Sequence, residues 1–313
     1  MVDIILVTDI IQFIYKIPTI FLMILSVYLI LKEVKKKNVH FNKQFYTLVV
    51  FKLLNDVYFI ITNYALFKIP RLGFFKNFFE KNDWIAALYY VLSAQQTMFM
   101  FLITFLVSIN RYVAVKYPTK YQRYFSKSKR IKILIFFIVL STLIGLGNIP
   151  FKPEYRMFDF AGAFIPYFTL KEVIYYQMFY TVFLFGILSI ATCIFNAKAI
   201  FELRKHKQIA GYYKKETYNI LYSIFIFITL SIVETFYISI LYKINSLRYI
   251  FHFIIVIGFD LSSVGDYYFL IFTRIELRNE MRNIFRCCKK STSKVDVKIF
   301  YRRNPTSNTK SIR

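Results

Sequence analysis

The sequence predicts an all-α membrane protein, a seven-transmembrane helix bundle with a short amphipathic interfacial helix after the seventh helix. Three observations carry that prediction. Stretches of about twenty residues, nearly free of charge, recur along the chain, and a bilayer core ~30 Å thick needs about 20 apolar residues per helical crossing. Of the 313 residues 57% are hydrophobic and 20% aromatic, and the mean hydropathy is +0.47. Basic residues crowd into every second connector. A water-soluble globule this rich in Phe and Ile would aggregate, and no Pro/Gly/Ser linker divides the apolar segments, so one membrane domain (residues 1–290) is expected, followed by a basic, disordered tail (291–313).

The seven spans are read as Ile10 to Leu31, Gln44 to Phe67, Trp84 to Ile109, Ile131 to Ile149, Val173 to Ala199, Thr217 to Tyr242 and Ile250 to Thr273. The first has Asp3 and Asp9 ahead of it instead of a basic leader, and Lys32-Glu33-Val34-Lys35-Lys36-Lys37 behind it stops transfer, so it reads as an uncleaved anchor. Pro18 falls near its start, where a missing backbone donor costs least. Of the 42 Lys/Arg, 31 lie on the side of the connectors after the first, third and fifth spans and of the tail, counting Lys132 and Lys198 at the span ends, against 10 on the other side, counting Lys16, with Lys52 inside the second span. Short loops retain positive charge on the cytoplasmic side. The N-terminus is therefore expected outside and the C-terminus inside, in the plasma membrane. The formal charge of +25 is topology and contact with anionic lipid, not nucleic-acid binding.

Three cysteines exclude a disulfide framework, and none lies in an outer loop. No Asn-x-Ser/Thr acceptor with a permissible middle residue occurs. Nor do the two halves of the chain match as transporter repeats do.

The third span ends in Ser108-Ile109-Asn110-Arg111-Tyr112-Val113-Ala114-Val115-Lys116-Tyr117-Pro118. An arginine at a helix end also snorkels to the interface without any signalling role. The longer context, however, resembles the Asp/Glu-Arg-Tyr motif and following Pro of rhodopsin-like G-protein-coupled receptors. With Lys68-Ile69-Pro70-Arg71-Leu72-Gly73-Phe74-Phe75 ahead of the third span, the chain looks more like the nematode serpentine chemoreceptors of the class gamma and class V group, over roughly residues 45 to 285. That resemblance implies a chemosensory receptor without catalytic activity, binding a small molecule from outside and activating a heterotrimeric G protein through Asn110, Arg111, Tyr112 and Pro118. It leaves open homo- or hetero-oligomers. Asn110 stands where the motif has a carboxylate, so any lock on Arg111 should be weaker than an ion pair. Glu216 is a distant candidate partner.

Asp56, midway along the second span, and Asp266 in the seventh are costly in hydrocarbon and should face the bundle interior as a polar switch. Lys52, one turn from Asp56, also allows a purely structural ion pair. Asp266-Tyr267-Tyr268-Phe269-Leu270 occupies the place of the receptor motif Asn/Asp-Pro-x-x-Tyr but keeps only its first position, so the seventh span has no proline kink. Beyond it Leu277, Met281, Ile284 and Phe285 oppose Arg274, Arg278, Arg282 and Arg286, the pattern of an interfacial amphipathic helix. Cys287 and Cys288 at its end beside Lys289-Lys290 are palmitoylation candidates.

For a ligand pocket, helix geometry places Ser93 five turns from Arg111 on the same face, with Thr97 one turn deeper. Tyr176, Tyr180, Glu234, Tyr237 and Asp260 lie at comparable depth, Glu234 and Asp260 as unpaired carboxylates that need a polar cavity or a neutral, protonated form. No cofactor or metal site is expected: there is no phosphate loop, no His-Glu-x-x-His and no Gly-x-Ser-x-Gly, the histidines His40, His206 and His252 are scattered, and no lysine between Ile250 and Thr273 could hold retinal. The alternative function is a ligand-gated cation channel or small-solute transporter with Asp56, Glu234, Asp260 and Asp266 along an ion path. The topology is open to a direct check: an epitope placed before Ile10 is expected to stain on intact cells, and staining only after permeabilisation would reverse the orientation.

Overall fold

The computed structural model describes residues 2–36, 43–158 and 163–205, parts of 217–235, and 257–284. Five helices in it are long and apolar enough to cross a membrane: Leu6–Lys35, Lys43–Arg71, Asp83–Lys116, Lys127–Phe151 and Val173–Lys205. Helical segments of the sixth and seventh expected spans follow, the latter including Leu261–Gly265 and Asp266–Thr273. Each full helix overruns the apolar stretch read from the sequence. The third runs through 34 residues to Lys116, because a helix need not stop where hydrocarbon does, and Lys or Arg in the last turn favours both the dipole and the interface. By the same overrun Pro18 falls in the middle of a helix running Val2–Lys35, not near its start.

The third span is the axle. It packs against the second, fourth and fifth spans, and it and the second are mostly buried, whereas the fourth and fifth present much of their surface outward. Close approach to the fourth span depends on Gly145, where an added Cβ would stand 2.4 Å from the Val91 carbonyl oxygen. The hydrophobic core gathers around Met98, Phe101, Ile103 and Leu106 of the third span, Leu48, Leu53 and Ile60 of the second, and Tyr267 and Leu270 of the seventh. Polar ties cross between the same helices. Asn55 donates to the Gln96 carbonyl (3.2 Å), and Gln96 donates to the Thr62 hydroxyl (3.1 Å).

Among the described residues three helices relax into π geometry, at Tyr64–Lys68, Phe179–Phe185 and Leu261–Gly265. Such stretches loosen the i→i−4 ladder and re-aim the side chains around them. The seventh span thus carries a helical irregularity directly before Asp266, at a place where the sequence has no proline.

Between the fourth and fifth spans lies a β-hairpin that the helical reading did not foresee. Strand β1 (Pro153–Phe158) pairs antiparallel with β2 (Ala163–Phe168), Tyr155 opposite Pro166. Proline is tolerated because a two-stranded sheet has only edge strands. Tyr155 and Phe164 join Phe79, Ile85 and Ala86 in a small core of their own, which roofs one end of the bundle. In place of any disulfide, the hairpin is held by phenols. The Tyr155 hydroxyl donates to the Leu66 carbonyl (2.5 Å) and the Tyr90 hydroxyl to the Pro166 carbonyl (2.8 Å), with the Tyr90 ring 3.8 Å from that of Phe168. Burial raises the Tyr155 phenol above its ordinary pKa, so it stays a donor.

The helix at residues 275–284 corrects the interfacial reading in part. Leu277 and Met281 are buried in the main core rather than laid against lipid, and Arg274, assigned to the charged face, is itself buried. Gly145→Ala is expected to cost about 1–3 kcal/mol by overpacking against backbone that cannot yield, seen as a lower thermal midpoint of the purified protein.

Candidate functional site

Buried charge in this bundle is stacked in three layers along the first, second, third and seventh spans. The middle layer is the driest. Lys52, Asp56 and Asp266 are each essentially inaccessible, at 1%, 0% and 0% exposure. Lys52 and Asp56 sit one turn apart on the second span, so their side chains meet on one face, with Nζ 3.0 Å from Oδ2. The same ammonium forms an ion pair with Asp266 of the seventh span and donates to the Ser262 carbonyl at 3.3 Å. Ser262 belongs to the π segment before Asp266. One lysine therefore joins two helices through two carboxylates and a backbone carbonyl.

At the end opposite the hairpin, Arg111 is 2% exposed and its guanidinium carbon lies 3.6 Å from the centroid of the Phe45 ring. Arg274 approaches the same ring at 4.4 Å. Phe45 thus serves two guanidinium groups, one from the third span and one from the segment after the seventh. Cation–π contacts of this kind strengthen when desolvated. Asn110 turns to Tyr121 in the following connector, its amide nitrogen 3.0 Å and its carbonyl oxygen 3.2 Å from the hydroxyl. Lys116 donates to the Tyr112 hydroxyl at 2.7 Å, and the Tyr112 ring meets Phe195 of the fifth span edge-on. Pro118 is exposed in the turn before the short helix Tyr121–Tyr124. Arg130 ties the fourth span to the second by donating to the Lys43 carbonyl (2.7 Å) and the Thr47 hydroxyl (2.9 Å).

The layer nearest the hairpin was not foreseen. Asp9 of the first span pairs with Lys68 (3.0 Å) and with Arg71, and Lys68 donates to Gln12. Asp260 of the seventh span pairs with Lys16 at 2.5 Å and accepts from Gln12 (2.6 Å) and from Tyr15. This corrects the expectation of an unpaired Asp260, whose partners come from the first span. The signal in the sequence was available: Asp9, Gln12 and Lys16 recur at spacings of three and four within an otherwise apolar helix, which puts them on one face.

The remaining pocket candidates scatter. The Thr97 hydroxyl is taken by the Ser93 carbonyl at 2.8 Å, and Ser93 is half-buried. Tyr176 donates to the Ile144 carbonyl at 2.5 Å and packs edge-on against Tyr180, which is buried. Gly147 makes room for the Tyr176 hydroxyl, 2.0 Å from where a Cβ would stand. Glu216, Glu234, Tyr237, Cys287 and Cys288 lie outside the described residues.

A helical bundle with charge sequestered at three depths is the architecture of a multi-pass membrane protein, and comparison with known families decides which. The family model described as Srg family chemoreceptor matches residues 9–281. The chain belongs to the Srg family of chemoreceptors. Its resemblance to nematode serpentine chemoreceptors is thereby borne out, and it is a chemosensory receptor of the membrane. No curated protein matches the chain. In this Srg-family receptor the family match runs from Asp9 to Met281, spanning all three charged layers.

The middle layer is expected to respond asymmetrically to substitution. Lys52→Met strands two buried carboxylates and should cost about 3–5 kcal/mol, read as lost folded yield. Asp56→Asn leaves one ion pair and is expected to fold. Adding Asp56→Asn and Asp266→Asn to Lys52→Met should restore yield, and failure of that rescue would show that Lys52 acts through packing alone.

Proposed function

We propose that this receptor binds a small molecule at the hairpin end, with its N-terminus outside the plasma membrane, and activates a heterotrimeric G protein at the Arg111 end. The observation that carries the reading is Arg111, buried at the end opposite the hairpin with its guanidinium over the Phe45 ring. A splaying of the helices would draw that guanidinium off the ring and offer it to a partner's polar groups.

Support also comes from how the layers are joined. Lys52 links the second and seventh spans, and Phe45 links Arg111 to Arg274 beyond the seventh, so a shift of the seventh span bears on both. A ligand that fits the splayed arrangement better than the closed one shifts the population towards it. Arg111, Asn110, Tyr112 and Pro118 then form the mouth offered to the G protein, with Asp56 and Asp266 as the switch above it. Palmitoyl groups on Cys287 and Cys288, and lysines and arginines of the same face on anionic lipid, would anchor that end.

The ion-path alternative loses support here, because three of its four carboxylates, Asp56, Asp260 and Asp266, are already matched with lysine ammonium groups. A conducting path needs sites that a passing ion can occupy and leave.

Arg111→Ala is expected to abolish agonist-evoked nucleotide exchange on the G protein while ligand binding stays within about tenfold. Phe45→Leu, which removes the ring but keeps the bulk, should raise basal exchange. Normal evoked exchange from Arg111→Ala at matched surface density would reduce Arg111 to an interfacial charge.

A further inference from the structure

Between the hairpin-end halves of the first and second spans lies an open cavity of about 520 Å³, within the range of roughly 300–1,000 Å³ typical of small-molecule sites. Its walls are almost wholly apolar, formed by Ile10, Phe13, Ile17 and Ile61 among others, and it reaches to Ile20, about 16 Å along the helix from Asp9. Asp9 and Lys68 border it, their charged atoms turned mainly towards each other. Lys68 is nine-tenths buried and is swung to face the first span from the π stretch Tyr64–Lys68.

Charge in the surrounding layer does not balance. With Lys68 protonated, Lys16, Lys68 and Arg71 face Asp9 and Asp260, three cations to two carboxylates among the described residues, and all five side chains are at most 16% exposed. A surplus charge out of water is costly until an anion joins it. One extra negative charge completes the set, whereas a phosphate monoester brings up to two.

We propose that this groove binds a single-chain amphiphile with a carboxylate head, the carboxylate beside Lys68 and Arg71 and the tail along Ile10, Phe13, Ile17 and Ile61. The ligand enters sideways between the first and second spans, and its negative charge loosens the hold of Lys68 and Arg71 on Asp9. The proposal names the ligand class of the receptor reading and rests on that reading only for its signalling consequence.

The test uses the full-length receptor in phosphatidylcholine nanodiscs carrying a fluorescent fatty-acid probe, with dodecanoate, dodecanol and dodecyltrimethylammonium as competitors. Dodecanoate is expected to displace the probe at a concentration about tenfold below dodecanol, and the ammonium compound is expected to fail. Lys68→Arg should keep the preference, Lys68→Gln should reduce it to within about twofold, and Ala65→Trp, which fills the groove, should remove displaceable binding. Equal competition by the acid and the alcohol in the wild type would overturn the proposal. So would phosphatidic acid in the nanodisc blocking dodecanoate, since the occupant would then be bilayer lipid. Binding as expected with no effect on nucleotide exchange would keep the site and refute its role in signalling, while absent binding would remove the site and leave the receptor reading standing.

Discussion

The ammonium of Lys52 is the interaction on which the rest of this bundle depends. Two ionised carboxylates from different helices are costly in a dry interior without a cation between them, and Asp56 and Asp266 are both fully buried. With Lys52 present, the second and seventh spans are drawn together at mid-bundle, and the π segment at Leu261–Gly265 brings the Ser262 carbonyl into the same shell. Buried ion pairs are weak sources of net stability, since desolvation offsets attraction. What the triad supplies is register: only one rotation of each helix presents Asp56, Lys52 and Asp266 to one another.

The two flanking layers follow from that register. When the seventh span is turned so that Asp266 meets Lys52, Asp260, six residues earlier, faces the first span and finds Lys16, Gln12 and Tyr15. Eight residues after Asp266, Arg274 reaches Phe45 from the side opposite the hairpin. The three layers are thus spaced along the seventh span and the residue that follows it: Asp260 takes its partners from the first span, and Asp266 and Arg274 take theirs from the second. That is a physical basis for communication between the ends of the bundle, because the seventh span cannot slide or rotate without disturbing all three.

Much of the candidate site was legible residue by residue and less so as pairs. Asp56 and Lys52 were paired in the sequence because helix geometry alone brings i and i+4 together. Asp266 was recognised as buried, yet its partner depended on the rotation of a different helix. For Asp260 the rule that a membrane carboxylate needs compensation held, but the compensation came from Lys16 rather than from a cavity. Asn110 was expected to act on Arg111, and it turned to Tyr121, a residue of the connector whose position no periodicity fixes. The β-hairpin was missed for a related reason: a short, strongly aromatic connector has no clear period, and its strands stand only because Tyr155 and Phe164 find Phe79 and Ile85 from other parts of the chain.

By itself the sequence determined that this is a multi-pass helical membrane protein of the serpentine chemoreceptor type. Apolar length and the Asn110-Arg111-Tyr112 signature are local properties, readable without knowing where any helix sits. Tertiary structure decided which buried charges neutralise which, that Phe45 lies between Arg111 and Arg274, and that a groove opens between the first and second spans beside Lys68. Those outcomes depend on the relative rotation of whole helices. A rotation of one residue, about 100°, exchanges the buried for the lipid-facing side of a helix, and nothing within a single span records which neighbour it will meet.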